Sequence, residues 1–213
     1  FIFPACSDTG IPFGLAVWGY YNAKELGTFQ RRRIDFRNAY TGIEYSQEII
    51  DNVISFYGIN ANRTTPQEVA QLIADGKIIG WFQGSSEYGP RALGHRSILA
   101  DSRREDMKDI LNLRVKHRET YRPFAPAVLL EDCSEYFDID VESPYMLLVA
   151  NVKKPDVVPA VTHVDGTARV QTVTRKDNGV FYDLIAAFKE ITGVPVILNT
   201  SFNVAGEPIV ETP

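Results

Sequence analysis

With 213 residues, 45% of them apolar and 23% charged, the chain is long enough for one sizeable globular domain, or for one domain with an added arm. No run of about 18 apolar residues occurs, which argues against a transmembrane helix, and the opening FIFPACSDTG has neither the basic start nor the long apolar run of a signal peptide. Cys6 and Cys133 are the only cysteines, and neither has metal-ligand spacing, so a reducing cytoplasm is the expected location.

The net charge of −5 argues against a nucleic-acid coat, but it is unevenly spread. Residues 91–122 hold nine Lys/Arg against five acids, so this segment is +4 and the remainder −9. A local basic segment in an acidic chain suits a small polyanion; a solvated helix face is the plainer reading of the same charges.

In chain order, residues 1–30 read as the end of another unit, an apolar segment broken by a turn at Pro4-x-x-x-Asp8-x-Gly10 and followed by a helix. Residues 30 to 42 (QRRRIDFRNAYTG) read as a linker. Ile49, Ile50, Val53 and Ile54 at helical spacing predict a helix from Tyr45 to Phe56. Thr65-Pro66-Gln67-Glu68 is a capping box with Pro in the first turn, and Gly76 closes that helix. KIIGWF (77–82) reads as a buried strand. Ser102-Arg103-Arg104-Glu105 is a second capping box, predicting a helix to about Leu113. Strands are expected at Phe124 to Leu130, Tyr145 to Val152, Thr167 to Val173 and Pro195 to Leu198, with an amphipathic helix from Val180 to Ile191 ended by Gly193. Strands mixed unevenly with helices predict an α+β or mixed α/β sheet protein.

Four polar clusters fall at the edges of these elements. In Glu87-Tyr88-Gly89-Pro90-Arg91-Ala92-Leu93-Gly94-His95-Arg96-Ser97, glycines permit close backbone approach, and Arg91 and Arg96 bring guanidinium forks suited to phosphate. The same pattern also fits a structural turn. Lys116-His117-Arg118 would place two cations on one strand face, held apart by a bound anion or satisfied by neighbouring carboxylates such as Glu119. After the Asp165-Gly166 turn, Arg169 and Gln171 would share a face; His163 serves either as a base or as a hydrogen-bonded structural group. Asn199, Ser201 and Asn203 at a strand end are typical of ligand contacts and equally of turns. No Cys-His, Ser-His-Asp or His-rich metal pattern is complete. Together the clusters suit a nucleoside triphosphate and charge stabilisation during phosphoryl or nucleotidyl transfer.

EYGPRALGHRSILAD, VKHRETYRPFAPAVL, PYMLLVANV, THVDGTARVQTV and LNTSFNVAGEPIVETP, in this order, resemble the signature blocks of the carbamoyltransferase C-terminal domain, over about Gly80 to Pro213. That family includes the O-carbamoyltransferases of nodulation-factor and antibiotic biosynthesis. The resemblance implies a YrdC-like domain at 61–213, a linker and helix at 31–60, and at 1–30 the end of an ASKHA-type domain. It further implies formation of carbamoyl-adenylate from carbamoyl phosphate and ATP with Mg²⁺, then transfer to a hydroxyl-bearing small-molecule acceptor chosen by an upstream domain. No nucleic acid or membrane partner is implied.

Lys116-x-Arg118 and Ser201-x-Asn203 match the Lys-x-Arg…Ser-x-Asn pattern of YrdC-like proteins. The resemblance also implies that Arg91, Arg122 and Arg169 line the adenylation pocket; with the polar clusters read above, Lys116, Arg122 and Arg169 are the expected catalytic cations, and Arg91, Arg96, Arg118, Asn199, Ser201 and Asn203 the expected nucleotide-binding groups. Asp8 matches a metal-ligand position of the ASKHA-type domain, where a transition metal such as iron would be completed by ligands from the two-domain enzyme. Two rivals accompany this reading: a YrdC-like protein making threonylcarbamoyl-adenylate for tRNA modification, and a non-catalytic nucleotide-binding module.

Overall fold

The computed structural model describes residues 2–22 and 38–213. The 30–37 part of the expected linker and the 23–30 part of the expected first unit lie outside these residues.

A six-stranded sheet in the order β1-β2-β6-β3-β5-β4 organises the fold. Its strands are β1 (Ile79–Phe82), β2 (Arg96–Asp101), β3 (Ala125–Leu129), β4 (Leu148–Asn151), β5 (Thr167–Val173) and β6 (Val196–Ser201). Only β3 and β5 run parallel; every other neighbouring pair is antiparallel. With helices α1 (Ile11–Asn22), α2 (Gln47–Phe56), α3 (Pro66–Ala74), α4 (Met107–Ile110), α5 (Cys133–Tyr136) and α6 (Gly179–Thr192), the chain is mixed α/β, as the element pattern predicts. No helix among the described residues is long and apolar enough to cross a membrane.

Both faces of the sheet are covered. On one, α3 and α6 bring Ile73, Phe181, Leu184, Ile185 and Phe188 onto Leu99, Ala127, Leu129 and Ile197. On the other, Met107, Leu111, Tyr136 and Phe137 meet Ile98, Val128, Val170 and Leu198. Full burial of one such side chain contributes about 1.5–3 kcal/mol. This two-sided cover explains why β2 escapes a sequence pattern: all six residues of RSILAD are buried, so no polar alternation marks it.

The local signals hold where no neighbour competes. Thr65 and Glu68 cap α3 reciprocally with Pro66 in the first turn, Asn178 caps α6 by accepting from Phe181 N, and Gly193 ends α6 at φ 77°. The second capping box does not form. The Asp101 carboxylate instead takes the Arg103 amide and guanidinium, Ser102 Oγ donates to Val196 O at 2.6 Å, and α4 begins only at Met107.

The strand expected at Lys116-His117-Arg118 is also corrected. α4 runs on as a π-helical turn, Leu111–Val115, in which Lys116 N donates to Leu111 O, and His117 then takes φ 46°. Lys116 and Arg118 therefore sit on a tight turn, not on one strand face. Such turns are rare and recur at functional sites.

The described end of the linker segment is docked. Tyr40 forms an antiparallel bridge with Glu87, Tyr88 N donates to Ala39 O, and Gly42 N donates to Ser86 O.

Candidate functional site

One end of the sheet gathers the polar clusters. It is formed by the C-terminal end of β6, the N-terminal ends of β2 and β3, and the early residues of β5. On β6, Asn199 and Ser201 lie two residues apart and so on one face. Ser201 pairs with Ser97 on β2, and Asn199 with Ala125 on β3.

The first group centres on Lys116, which is 4% exposed. Its ammonium donates to Ser201 O, to Ser201 Oγ at 3.2 Å, and to Asn203 O and Oδ1 at 2.9 and 3.0 Å. Four oxygens thus surround one cation with no carboxylate among them. Burial, then the Arg118 charge, lower its pKa from an ordinary 10.5 to about 8. Asn112, fully buried, holds the turn that carries both cations: it donates to Thr120 O and Arg122 O and accepts from Arg118 Nε at 2.7 Å. The Arg118 guanidinium also lies over the Phe124 ring, 4.9 Å from its centroid. Arg122, at the rim, is half exposed and ion-paired with Glu119 at 2.8 Å.

The second group is built on Asn199, two residues before Ser201 on β6. Asn199 Nδ2 donates to Ala92 O at 3.2 Å and to Gln171 Oε1 at 2.8 Å, while Gln171 Nε2 donates to Leu93 O at 2.8 Å. Arg91 precedes these carbonyls, and Arg169 lies two residues before Gln171. Neither arginine has an acidic partner among the described residues, and the Nε of each is buried without a hydrogen-bond partner. Burial, then Arg91, press the Arg169 pKa from an ordinary 12.5 down to about 10. Two adjacent cations without a counter-charge form a ready anion site.

Arg96 is placed otherwise. It is fully buried, stacked 3.6 Å from the Phe82 ring centroid, and donates to Gln83 O, Gly84 O, His95 O and Glu211 O. Its guanidinium is turned inward on the chain's own carbonyls. Asp8 is exposed in a 3₁₀ turn, Asp8–Gly10, and no group of three His, Cys, Asp or Glu among the described residues could hold a metal ion. The described residues alone therefore supply no complete metal site around Asp8. His163 Nδ1 lies 3.1 Å from Thr167 Oγ1, and burial, with Arg169 and Lys108 acting in the same sense against Asp165, holds its pKa below the ordinary value.

The residue that sequence reasoning passed over is Glu87. Its Oε1 accepts from Leu93 N, His95 N and Arg96 N at 2.7, 2.8 and 3.2 Å, which fixes the loop carrying Arg91. The signal was an acid opening a Gly-rich segment, a position from which one carboxylate can cap several successive amides. Asn112 left no such signal.

Residues 70–213 match the model described as carbamoyltransferase C-terminus. The chain belongs to that family. It is 44% identical over 221 residues to nodulation protein NolO of Bradyrhizobium diazoefficiens, covering 100% of this chain and 40% of that protein. To the 3'-hydroxymethylcephem-O-carbamoyltransferase of Streptomyces clavuligerus it is 36% identical over 208 residues, covering 97% of this chain and 38% of that one. This carbamoyltransferase-family chain thus spans about two fifths of the length of the curated relatives it matches. A crystal structure of full-length HypF in the phosphate- and nucleotide-bound form aligns with a TM-score of 0.46 at 18% identity, over 72% of this chain and 19% of that one.

Proposed function

We propose that this chain is the ATP-dependent, carbamoyl-adenylate-forming part of an O-carbamoyltransferase, with a YrdC-like site at the end of β6. The observation that carries this reading is the assembly, from segments 85 and 78 positions apart, of Lys116 with Ser201 and of the Arg91 loop with Gln171 at one end of one sheet. Such a site offers cations and neutral hydrogen-bonders without a catalytic carboxylate pair, which suits transfer at phosphorus, where positioning and electrostatics dominate.

In the proposed step, carbamate released from carbamoyl phosphate by one water, with loss of inorganic phosphate, bonds through oxygen to the α-phosphorus of ATP. The bond to pyrophosphate breaks, giving carbamoyl-AMP. Lys116, Arg118 and Arg122 neutralise the ATP phosphates; Arg91 and Arg169 hold the carbamoyl donor and the α-phosphate as charge builds there. Ser201, Asn199 and Asn203 supply neutral contacts, and Arg96 and Glu87 keep the Arg91 loop in place. Mg²⁺ would enter with ATP as part of the substrate and would offset its phosphate charge. The carbamoyl group then passes to a hydroxyl-bearing small molecule bound outside this chain.

Removing one such cation costs roughly 100-fold or more in rate. Lys116→Ala and Arg169→Ala are each expected to abolish carbamoyl-AMP detected by mass spectrometry from ATP and carbamoyl phosphate. Near-wild-type yield from both overturns the assignment.

A further inference from the structure

Asn199 carries an unexplained atom. The residue is 1% exposed, and its Oδ1 is buried with no hydrogen-bond partner, although its Nδ2 has two. Amide orientation in a side chain is set by its neighbours, and here they leave no choice. Leu93 O can only accept, so Gln171 must present Nε2 to it and therefore turns Oε1 toward Asn199. Ala92 O can also only accept. Both demand the Nδ2 of Asn199, and Oδ1 is left over.

A buried acceptor without a donor is costly, and a native chain that keeps one invites a functional explanation. Its setting supplies that explanation. Asn199 pairs with Ala125, and Ala127 pairs with Gln171 in the parallel β3–β5 ladder. The same register carried back two residues sets Ala125 beside Arg169. Asn199, Ala125 and Arg169 thus form a row across three strands on one face, with the smallest chiral side chain in the middle. Near this row are two further unpartnered atoms of opposite character, the buried Nε donors of Arg91 and Arg169. A ligand complementary to the set has an anionic or carbonyl oxygen for the guanidiniums and an N–H for the amide oxygen. Phosphate alone meets only half of this requirement; a carbamoyl group joined to phosphate meets all of it.

We propose that Asn199 is the specificity residue for the carbamoyl amino group: its Oδ1 accepts a hydrogen bond from the donor's N–H while Arg91 and Arg169 hold the donor's oxygens. The inference rests on the carbamoyl-adenylate reading above and assigns which atom separates a carbamoyl donor from an acyl donor of the same shape. Gln171 is a positioning residue in this scheme, since it fixes the Asn199 amide through Leu93 O without itself facing the amino group.

The test uses two stable isosteres differing only at that group, phosphonoacetamide (H₂N–CO–CH₂–PO₃) and acetonylphosphonate (CH₃–CO–CH₂–PO₃), titrated calorimetrically into the 213-residue chain. The wild-type chain is expected to bind the amide at least about tenfold more tightly than the methyl ketone, since a buried acceptor gains a donor from one and faces a methyl in the other. Asn199→Ala is expected to bring the two affinities within about twofold, mainly by weakening the amide. Equal wild-type affinities overturn the inference without any variant, and so does a preference that survives Asn199→Ala. Carbamoyl-AMP synthesis by the same preparation separates the two levels: synthesis without discrimination sinks only the role of Asn199, whereas no synthesis and no binding of either isostere sinks the underlying reading as well.

Discussion

The Lys116 ammonium donates to both the main-chain and side-chain oxygens of Asn203, at 2.9 and 3.0 Å, across 87 positions of sequence. The contact joins the turn after α4 to the turn after β6, and it is made by a charge that burial has made expensive. Lysine is charged below its pKa, so burial that lowers the folded value from 10.5 to about 8 leaves the unfolded chain holding more protons between those limits. Stability therefore rises with pH across that window. Relative to Lys116→Met, which has no charge to bury, the wild-type chain is expected to gain thermal stability from about pH 8 to pH 10, measured by calorimetric melting. A flat difference contradicts the assignment. Over the same window, the role proposed for Lys116 at the ATP phosphates predicts that carbamoyl-AMP formation falls as the ammonium loses its proton.

Glu87 provides a second prediction. One carboxylate oxygen serves three backbone N–H groups of the loop that carries Arg91. A hydrogen bond to a charged group is worth about 1.5–3 kcal/mol, and the three share one acceptor. Glu87→Ala is expected to cost about 3 kcal/mol in denaturant unfolding and to weaken nucleotide binding through loss of loop geometry. Glu87→Gln, which keeps an acceptor oxygen, is expected to recover part of both.

How far the sequence carried these conclusions depends on the range of the forces involved. The α3 cap was legible because Thr65, Pro66 and Glu68 satisfy one another within four residues. The Ser102 box was not, because Asp101 one position earlier captures Arg103 and because Ser102 finds its acceptor on Val196, 94 positions away. The pairing of Lys116-x-Arg118 with Ser201-x-Asn203 was legible as a family pattern, but the turn that delivers it was not, since nothing in the local sequence announces a π-helical turn. Arg91 and Arg96 show the limit most plainly. They are the same residue type five positions apart in one Gly-rich loop; only the placement of Phe82 and the carbonyls of residues 83, 84, 95 and 211 turns one inward.

Arg91 and Arg169, cations without an acidic partner among the described residues, lead to a third expectation. Their mutual repulsion is relieved either by an anion or by removing one of them. Inorganic phosphate at about 100 times its Kd stabilises the folded chain by about 2.7 kcal/mol, a melting shift of about 5–10 °C for a chain of this size. Arg169→Met is expected to melt at or above the wild-type temperature without phosphate, and to lose most of the phosphate-induced shift. The shift in wild type is expected to shrink as sodium chloride is raised. A variant that melts lower and still responds fully to phosphate contradicts the pairing.

Gly94 gives a prediction about the scaffold beneath the site. It has φ 103°, and a Cβ built there lies 2.4 Å from the Phe181 ring, within the packed cluster of α6 and the sheet. Its carbonyl also receives Trp81 Nε1 at 2.8 Å and Gln83 Nε2 at 2.9 Å, so the backbone cannot move away without breaking both bonds. Gly94→Ala combines backbone strain of about 1–3 kcal/mol with overpacking of about 1–3 kcal/mol. Gly166, at φ 78°, has nothing within 4 Å of an added Cβ, so Gly166→Ala carries the strain alone. Urea unfolding is expected to place Gly94→Ala at least about 2 kcal/mol below Gly166→Ala. Comparable losses from the two would mean that Phe181 is free to give way, and that the Arg91 loop rests on a softer support than its packing implies.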